Sequence, residues 1–156
     1  MIEDNSLILV PFDATELSLR ALESAKEAAL KSNSTLILLY VVDNTCLCPV
    51  GIKDFLPQIQ DFDSSRQNFV NVLKKGAELM INKELKEINR QGIEARFSTR
   101  IGYPADEILA VARDEKVDVI IMGSSGSLKK LHERKGIGSV SRLVSELASC
   151  PVILIR

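Results

Sequence analysis

Apolar residues arrive along this chain in two rhythms. Uninterrupted runs such as Leu7-Ile8-Leu9-Val10, Thr35-Leu36-Ile37-Leu38-Leu39-Tyr40-Val41-Val42 and Val117-Asp118-Val119-Ile120-Ile121-Met122 are short and carry almost no polar break. Runs of this length and kind predict parallel strands buried on both faces. Between them, apolar residues recur every three or four positions. From 15 to about 31, Leu17, Ala21, Leu22, Ala25, Ala28 and Ala29 make a helical stripe thin enough to pack closely on a sheet. A longer helix is predicted from about 65 to 91, with Phe69, Val72, Leu73, Ala77, Met80, Ile81, Leu85 and Ile88 on its stripe and Gly92 as its stop.

The segment Ile93-Glu94-Ala95-Arg96-Phe97-Ser98-Thr99-Arg100-Ile101 alternates apolar with polar, which predicts a strand with one wet face, nearer a sheet edge. Pro104 suits a first helical position, the acids Asp106 and Glu107 suit the positive end of that helix, and Ala105, Ile108, Leu109 and Ala112 form its stripe. A last helix after Gly138 shows Val140, Leu143, Val144 and Leu147 on one face, and Pro151-Val152-Ile153-Leu154-Ile155 reads as the closing strand. Strand and helix alternate, five of one and four of the other, so the fold class is α/β with a parallel sheet and helices on both faces. Residues 44 to about 64 carry Pro49, Gly51 and Pro57 without a sustained period, and are read as an irregular connection.

The 156 residues are expected to form one domain, 1–156. Such a length buries about 68–70% of the unfolded surface without metals or disulfides. With 26% charged residues and a formal net charge of −1, no global field attracts nucleic acid or an acidic membrane, so neither is an expected partner. The N-terminus is acidic where a secretory signal is basic, and no apolar run reaches membrane-spanning length, so a cytoplasmic protein is expected. The three cysteines, Cys46, Cys48 and Cys150, fit neither an even disulfide framework nor a zinc quartet. With His132 the only histidine, a multi-histidine zinc site is excluded and a Ser-His-Asp triad has one weak candidate.

In an open parallel sheet, ligands sit beyond the carboxyl ends of the strands. That places Pro11-Phe12-Asp13, Val41-Val42-Asp43, Gly102-Tyr103 and the loop Gly123-Ser124-Ser125-Gly126 at the candidate site. Glycines let backbone approach a ligand, and the helix opened by Gly138-Ser139 offers unpaired N–H groups to an anion, so a bound phosphate chain fits best. Asp13-x-x-Glu16 also reads as a helix cap with a reciprocal carboxylate, and Ser139 as an ordinary N-cap. The run from Leu128 to Lys135 holds Lys129, Lys130, Arg134 and Lys135, either a solvated stretch or a match for an anion.

Rival phosphate folds lack their marks here. There is no Gly-x4-Gly-Lys-Ser/Thr loop, Gly136-Ile137-Gly138 stands too late for a dinucleotide fingerprint, and 4% aromatics without tryptophan offers a flavin little to stack on.

Val10-Pro11-Phe12-Asp13, Leu39-Tyr40-Val41-Val42-Asp43, Gly102-Tyr103-Pro104-Ala105-Asp106-Glu107-Ile108, Asp118-Val119-Ile120-Ile121-Met122-Gly123-Ser124-Ser125-Gly126, Gly138-Ser139-Val140-Ser141 and Cys150-Pro151-Val152-Ile153-Leu154-Ile155 together resemble the universal stress protein family over essentially the whole chain. The resemblance implies a Rossmann-like sheet of the adenine nucleotide α-hydrolase kind, with strand order 3-2-1-4-5. It also implies a homodimer joined through the last strand, at Val152, Ile153, Leu154 and Ile155. One family subclass binds ATP through Gly-x2-Gly-x9-Gly-Ser/Thr, and another lacks the motif.

By that resemblance, ATP, with Mg2+ bridging its phosphates, would be the ligand of a regulatory stress-response switch that is not an enzyme beyond, at most, a slow ATPase. Pro11, Asp13 and the backbone of Val41 would lie on the adenine side, while Gly123, Gly126, Gly138, Ser139 and Val140 would hold ribose and phosphates. The chain departs from the pattern in one respect, having eleven residues between Gly126 and Gly138 where the motif has nine. A two-residue insertion either bulges outward from fixed anchors or disables the site. The second outcome leaves a nucleotide-free dimer that binds partners through residues 44–64.

Overall fold

The computed structural model describes residues 2–43, 62–124 and 136–156. In chain order these form β1 (Leu7–Pro11), α1 (Glu16–Ser32), β2 (Thr35–Asp43), α2 (Phe62–Arg90), β3 (Ala95–Gly102), α3 (Pro104–Asp114), β4 (Val119–Gly123), α4 (Ser139–Leu147) and β5 (Val152–Ile155). All strand pairings are parallel and the order is β3-β2-β1-β4-β5. This is the architecture expected from the alternating rhythm. Among the described residues no helix is long and apolar enough to cross a membrane.

Two apolar layers sandwich the sheet. Ala21, Leu22, Ala25 and Ala29 of α1 and Ile81 and Ile88 of α2 pack on one face, against Ile8, Val10, Leu36, Leu38 and Ile121. Ala105, Ile108, Val111 and Ala112 of α3 and Val144 of α4 cover the other, against Leu9, Ile37, Leu39 and Ile120. The central strands are almost uniformly apolar because both of their faces are covered. Each fully buried Leu or Ile contributes about 1.5–3 kcal/mol by leaving water. The alternating segment becomes β3 at one edge, with Arg96 and Arg100 exposed, as its wet face predicted.

The stripe of α2 differs from expectation in its first half. Phe69 and Val72 are exposed and Val70 is buried instead. At 3.6 residues per turn, Val70 lies about 20° in phase from Ile81, whereas Phe69 lies about 120° and Val72 about 180° away. The deeply buried Ile81 and Ile88 set the face that meets the sheet, and that face includes Val70. The helix also begins three residues earlier than expected, at Phe62. Residues 44–61, with Cys46 and Cys48, lie outside the described residues, as do 125–135, with Gly126, His132 and the basic run.

Strand register parts β1 from β4 at the carboxyl edge. The β1 and β2 ladder runs from Leu7↔Thr35 to Pro11↔Leu39. The ladder of β1 with β4 covers only Ile8↔Val119 and Leu9↔Ile120, after which β4 continues with β5 as far as Gly123↔Ile155. Connections also diverge here, since α1 crosses one face of the sheet and α4 the other. The gap between β1 and β4 is therefore the topological switch point, where ligands of such sheets lodge.

Candidate nucleotide site at the β1/β4 switch point

Pro11 ends β1 where its missing N–H costs no ladder bond. The Phe12 N–H donates to the Leu39 carbonyl at 2.8 Å, and the chain then turns into α1. Asp13 is exposed on that turn. Its Oδ1 accepts the Thr15 N–H at 3.0 Å and the Thr15 hydroxyl at 2.6 Å. Ala14 between them takes φ 59°, a left-handed backbone that a non-glycine residue adopts only when its surroundings hold it there.

Thr15 is the N-cap of α1, its hydroxyl oxygen accepting the Ser18 N–H at 3.4 Å. The cap expected at Asp13 is thus displaced by two residues, because Asp13 is occupied in orienting Thr15. Glu16 becomes the first helical residue and not the distal member of a capping box. The spacing Thr15-x-x-Ser18 was the sequence signal for this.

Val41 lies two residues beyond the end of the β1/β2 ladder, still paired with Arg100 of β3. Peptide groups along a strand alternate sides, so those of Val41 face the same way as those of Leu39, toward β1. At that level β1 has already ended. The Val41 backbone therefore borders the crevice from the side opposite β4.

Gly123, the last residue of β4, meets the first turn of α1. A Cβ built on it would lie 2.9 Å from Leu17 Cβ and 3.1 Å from the Leu17 carbonyl carbon. Glycine is thus required here for helix-to-strand approach, whatever else its backbone does. Ser124 follows and is buried. Its N–H donates to the Ile155 carbonyl at 2.8 Å, and its own carbonyl accepts the Gly138 N–H at 2.7 Å and the Ser141 hydroxyl at 2.7 Å. The end of β4 and the start of α4 are therefore in direct contact, even though thirteen residues separate Ser124 from Gly138.

Gly138, and not Ser139, is the N-cap of α4, with φ −65° and ψ 159° and no side-chain hydrogen bond to the helix. Ser139 and Val140 are the first two helical residues, Ser139 exposed and Val140 half-buried. There is no acidic residue in this first turn. The opening amides and the positive end of the helix dipole thus receive no side-chain oxygen from the cap or the first turn, an arrangement that favours an anion. The structure brings together Gly123, Gly138, Ser139 and Val140, with Pro11 and Asp13 at the end of β1 and Val41 bordering the same crevice. Gly126 is outside the described residues. Among these residues no group of His, Cys, Asp or Glu could hold a metal ion.

Sequence reasoning placed Ser124 in the candidate loop as a donor hydroxyl but not as the carbonyl that holds α4, and it gave Ser141 no role. Ser141 stands three residues before Val144 on the inward face of α4, and a serine in phase with an apolar stripe is the mark that identifies it.

Comparison with known proteins agrees with the fold. The model of the universal stress protein family matches residues 5–156. The universal stress protein YxiE of Bacillus subtilis is 30% identical over 149 residues, covering 96% of this chain and 97% of its own. The solved structure of MJ0577, a universal stress protein of Methanocaldococcus jannaschii, is 28% identical with a TM-score of 0.79, covering 97% of this chain and 95% of that one. A universal stress protein from Archaeoglobus fulgidus, solved in complex with dAMP, shares the fold at 20% identity and a TM-score of 0.58, covering all of both chains. From its motifs, its strand order and the match along nearly its entire length, this chain belongs to the universal stress protein family.

Proposed function

We propose that the protein is an ATP-binding regulatory member of its family, working as a homodimeric switch. The observation that carries this reading is the 2.7 Å bond from the Gly138 N–H to the Ser124 carbonyl. It holds the start of α4 against the end of β4, which supports a shared site for the two turns in spite of the longer spacer. Phosphates would rest on the amides of Ser139 and Val140, beside Gly123, and Mg2+ would supply further neutralisation of their charge. Adenine would lie across the crevice, against Pro11, Asp13 and the backbone of Val41, with the ribose toward the glycine turns. The fold accommodates an adenine nucleotide in the Archaeoglobus fulgidus protein, at the level of architecture.

The switch would run through one peptide. Ser124 faces the anion site with its carbonyl and the sheet edge with its N–H, which is bonded to Ile155 of β5. β5 is that edge, with Ile153 exposed and Val152, Leu154 and Ile155 partly so. An unpaired apolar edge invites another strand, and a second copy pairing there would bury it. Ligand at about 100 times its Kd stabilises the bound form by about 2.7 kcal/mol, enough to shift such an equilibrium. Native mass spectrometry of freshly purified protein, followed by calorimetric titration with MgATP, tests the reading. It expects adenine nucleotide near one per chain, and absence of nucleotide in both measurements overturns it.

A further inference from the structure

We infer that Ser141 is a positioning residue for the anion site, the hydroxyl that orients the opening turn of α4 upon the end of β4. The inference rests on the site proposed above. Ser141 is the third helical residue and only 3% exposed. Its hydroxyl donates to the Ser124 carbonyl at 2.7 Å and lies 3.2 Å from the Gly138 carbonyl. The same Ser124 oxygen accepts the Gly138 N–H at 2.7 Å. One carbonyl with two lone pairs thus takes two donors from one helical turn.

A single bond would leave the turn free to pivot about the Gly138 amide. The second, three residues later and almost a full turn around the helix, fixes its direction as well as its place. Between those two attachments lie Ser139 and Val140, whose amides face the ligand. Ser124 is itself rooted by its bond to Ile155, so the restraint reaches back into the sheet. An anion site depends on donors that already point at the oxyanion, and a pivoting turn would dilute that alignment.

Wild type, Ser141→Ala and Ser141→Thr are compared in calorimetric titrations with MgATP and with adenosine, together with amide hydrogen exchange. Ser141→Ala is expected to weaken ATP about tenfold while adenosine changes less than about twofold, because only the phosphates meet α4. Ser141→Thr, which keeps the hydroxyl, is expected to recover most of the ATP affinity. Exchange at Gly138 and Arg142 should accelerate about tenfold in Ser141→Ala, with the amides of β1 and β2 unchanged. Equal losses for ATP and adenosine, unaltered ATP affinity, or unaltered exchange at Gly138 would each overturn the role. If the wild type binds no adenine nucleotide, the proposed function fails by itself. Exchange then decides Ser141 alone, with accelerated Gly138 exchange supporting the restraint and unchanged exchange refuting it.

Discussion

The helices α1, α3 and α4 each begin near the carboxyl edge of the sheet, yet their first turns are finished differently. In α1, the Thr15 hydroxyl oxygen takes the Ser18 N–H and Glu16 faces the positive end of the dipole. In α3, Pro104 removes one orphan donor and Asp106 and Glu107 supply negative charge. α4 begins at Gly138 with neither a side-chain cap nor an acid. A helix that serves only as structure gains stability from such groups, typically about 1 kcal/mol for a cap and 0.3–1 kcal/mol for a charge. Their omission from one helix of three, at the switch point of the sheet, leaves the α4 amides without a side-chain partner from the cap or the first turn, as the proposed anion site requires.

Supplying what α4 lacks should give the largest effect. In Gly138→Asp the extended backbone of the cap accommodates the new residue, and its carboxylate would occupy the amides itself. We expect MgATP affinity to fall at least about a hundredfold in calorimetry, while thermal unfolding shows stability unchanged or raised by a few tenths of a kcal/mol. A parallel loss of stability and binding would contradict the contrast between α4 and its neighbours. Next comes Gly123→Ala, which drives a methyl group to 2.9 Å from Leu17 Cβ. Overpacking of that kind should destabilise the fold by about 1–3 kcal/mol in denaturant titration.

Thr15→Ala removes the cap of α1 and should lose about 1 kcal/mol, leaving the α4 amides untouched. The smallest effect lies at the opposite pole, where Glu115 ends α3 at the unfavourable, negative end of its dipole. Its hydrogen bond to Arg96 at 2.8 Å, and the charge of that guanidinium, hold its carboxyl below the ordinary range. The contribution is therefore present above the usual carboxylate pKa and is lost as pH falls through the lowered value. Arg96→Gln should return the Glu115 titration, followed by NMR, toward the ordinary range.

Most of the fold was legible from the sequence because burial writes itself into periodicity. Uniformly apolar runs at Leu7-Ile8-Leu9-Val10 and Leu36-Ile37-Leu38-Leu39 become strands covered on both faces, and the alternation around Arg96 and Arg100 becomes an edge. The face of α2 was less legible. Phe69 and Val72 look like core until the phase is counted from Ile81, since apolar type says nothing about which side of a long helix meets the sheet.

At the site, the glycines and the start of α4 were readable as chemistry, but the roles of the hydroxyls were not. Asp13 and Ser139 both carry cap-forming side chains, and which residue caps depends on a turn geometry that is set by tertiary contact. Thr15 holds α1 and Gly138 begins α4. The bond between Ser141 and Ser124 was overlooked because it spans seventeen residues, a distance at which local pattern carries no signal. The consequence of the spacer length was likewise not a matter of counting. The Gly138 N–H meets the Ser124 carbonyl whatever the number of residues between them, and only the tertiary contact reveals that pairing.

The central claim concerns particular amides, and NMR reads them one by one. Backbone N–H resonances of Ser139, Val140 and Ser18 are followed as MgATP, and separately adenosine, is added. Saturating shifts of Ser139 and Val140 with MgATP, little movement of either with adenosine, and a stationary Ser18 in the capped turn of α1 are the predicted result. Unmoved Ser139 and Val140 at saturating MgATP would contradict the account.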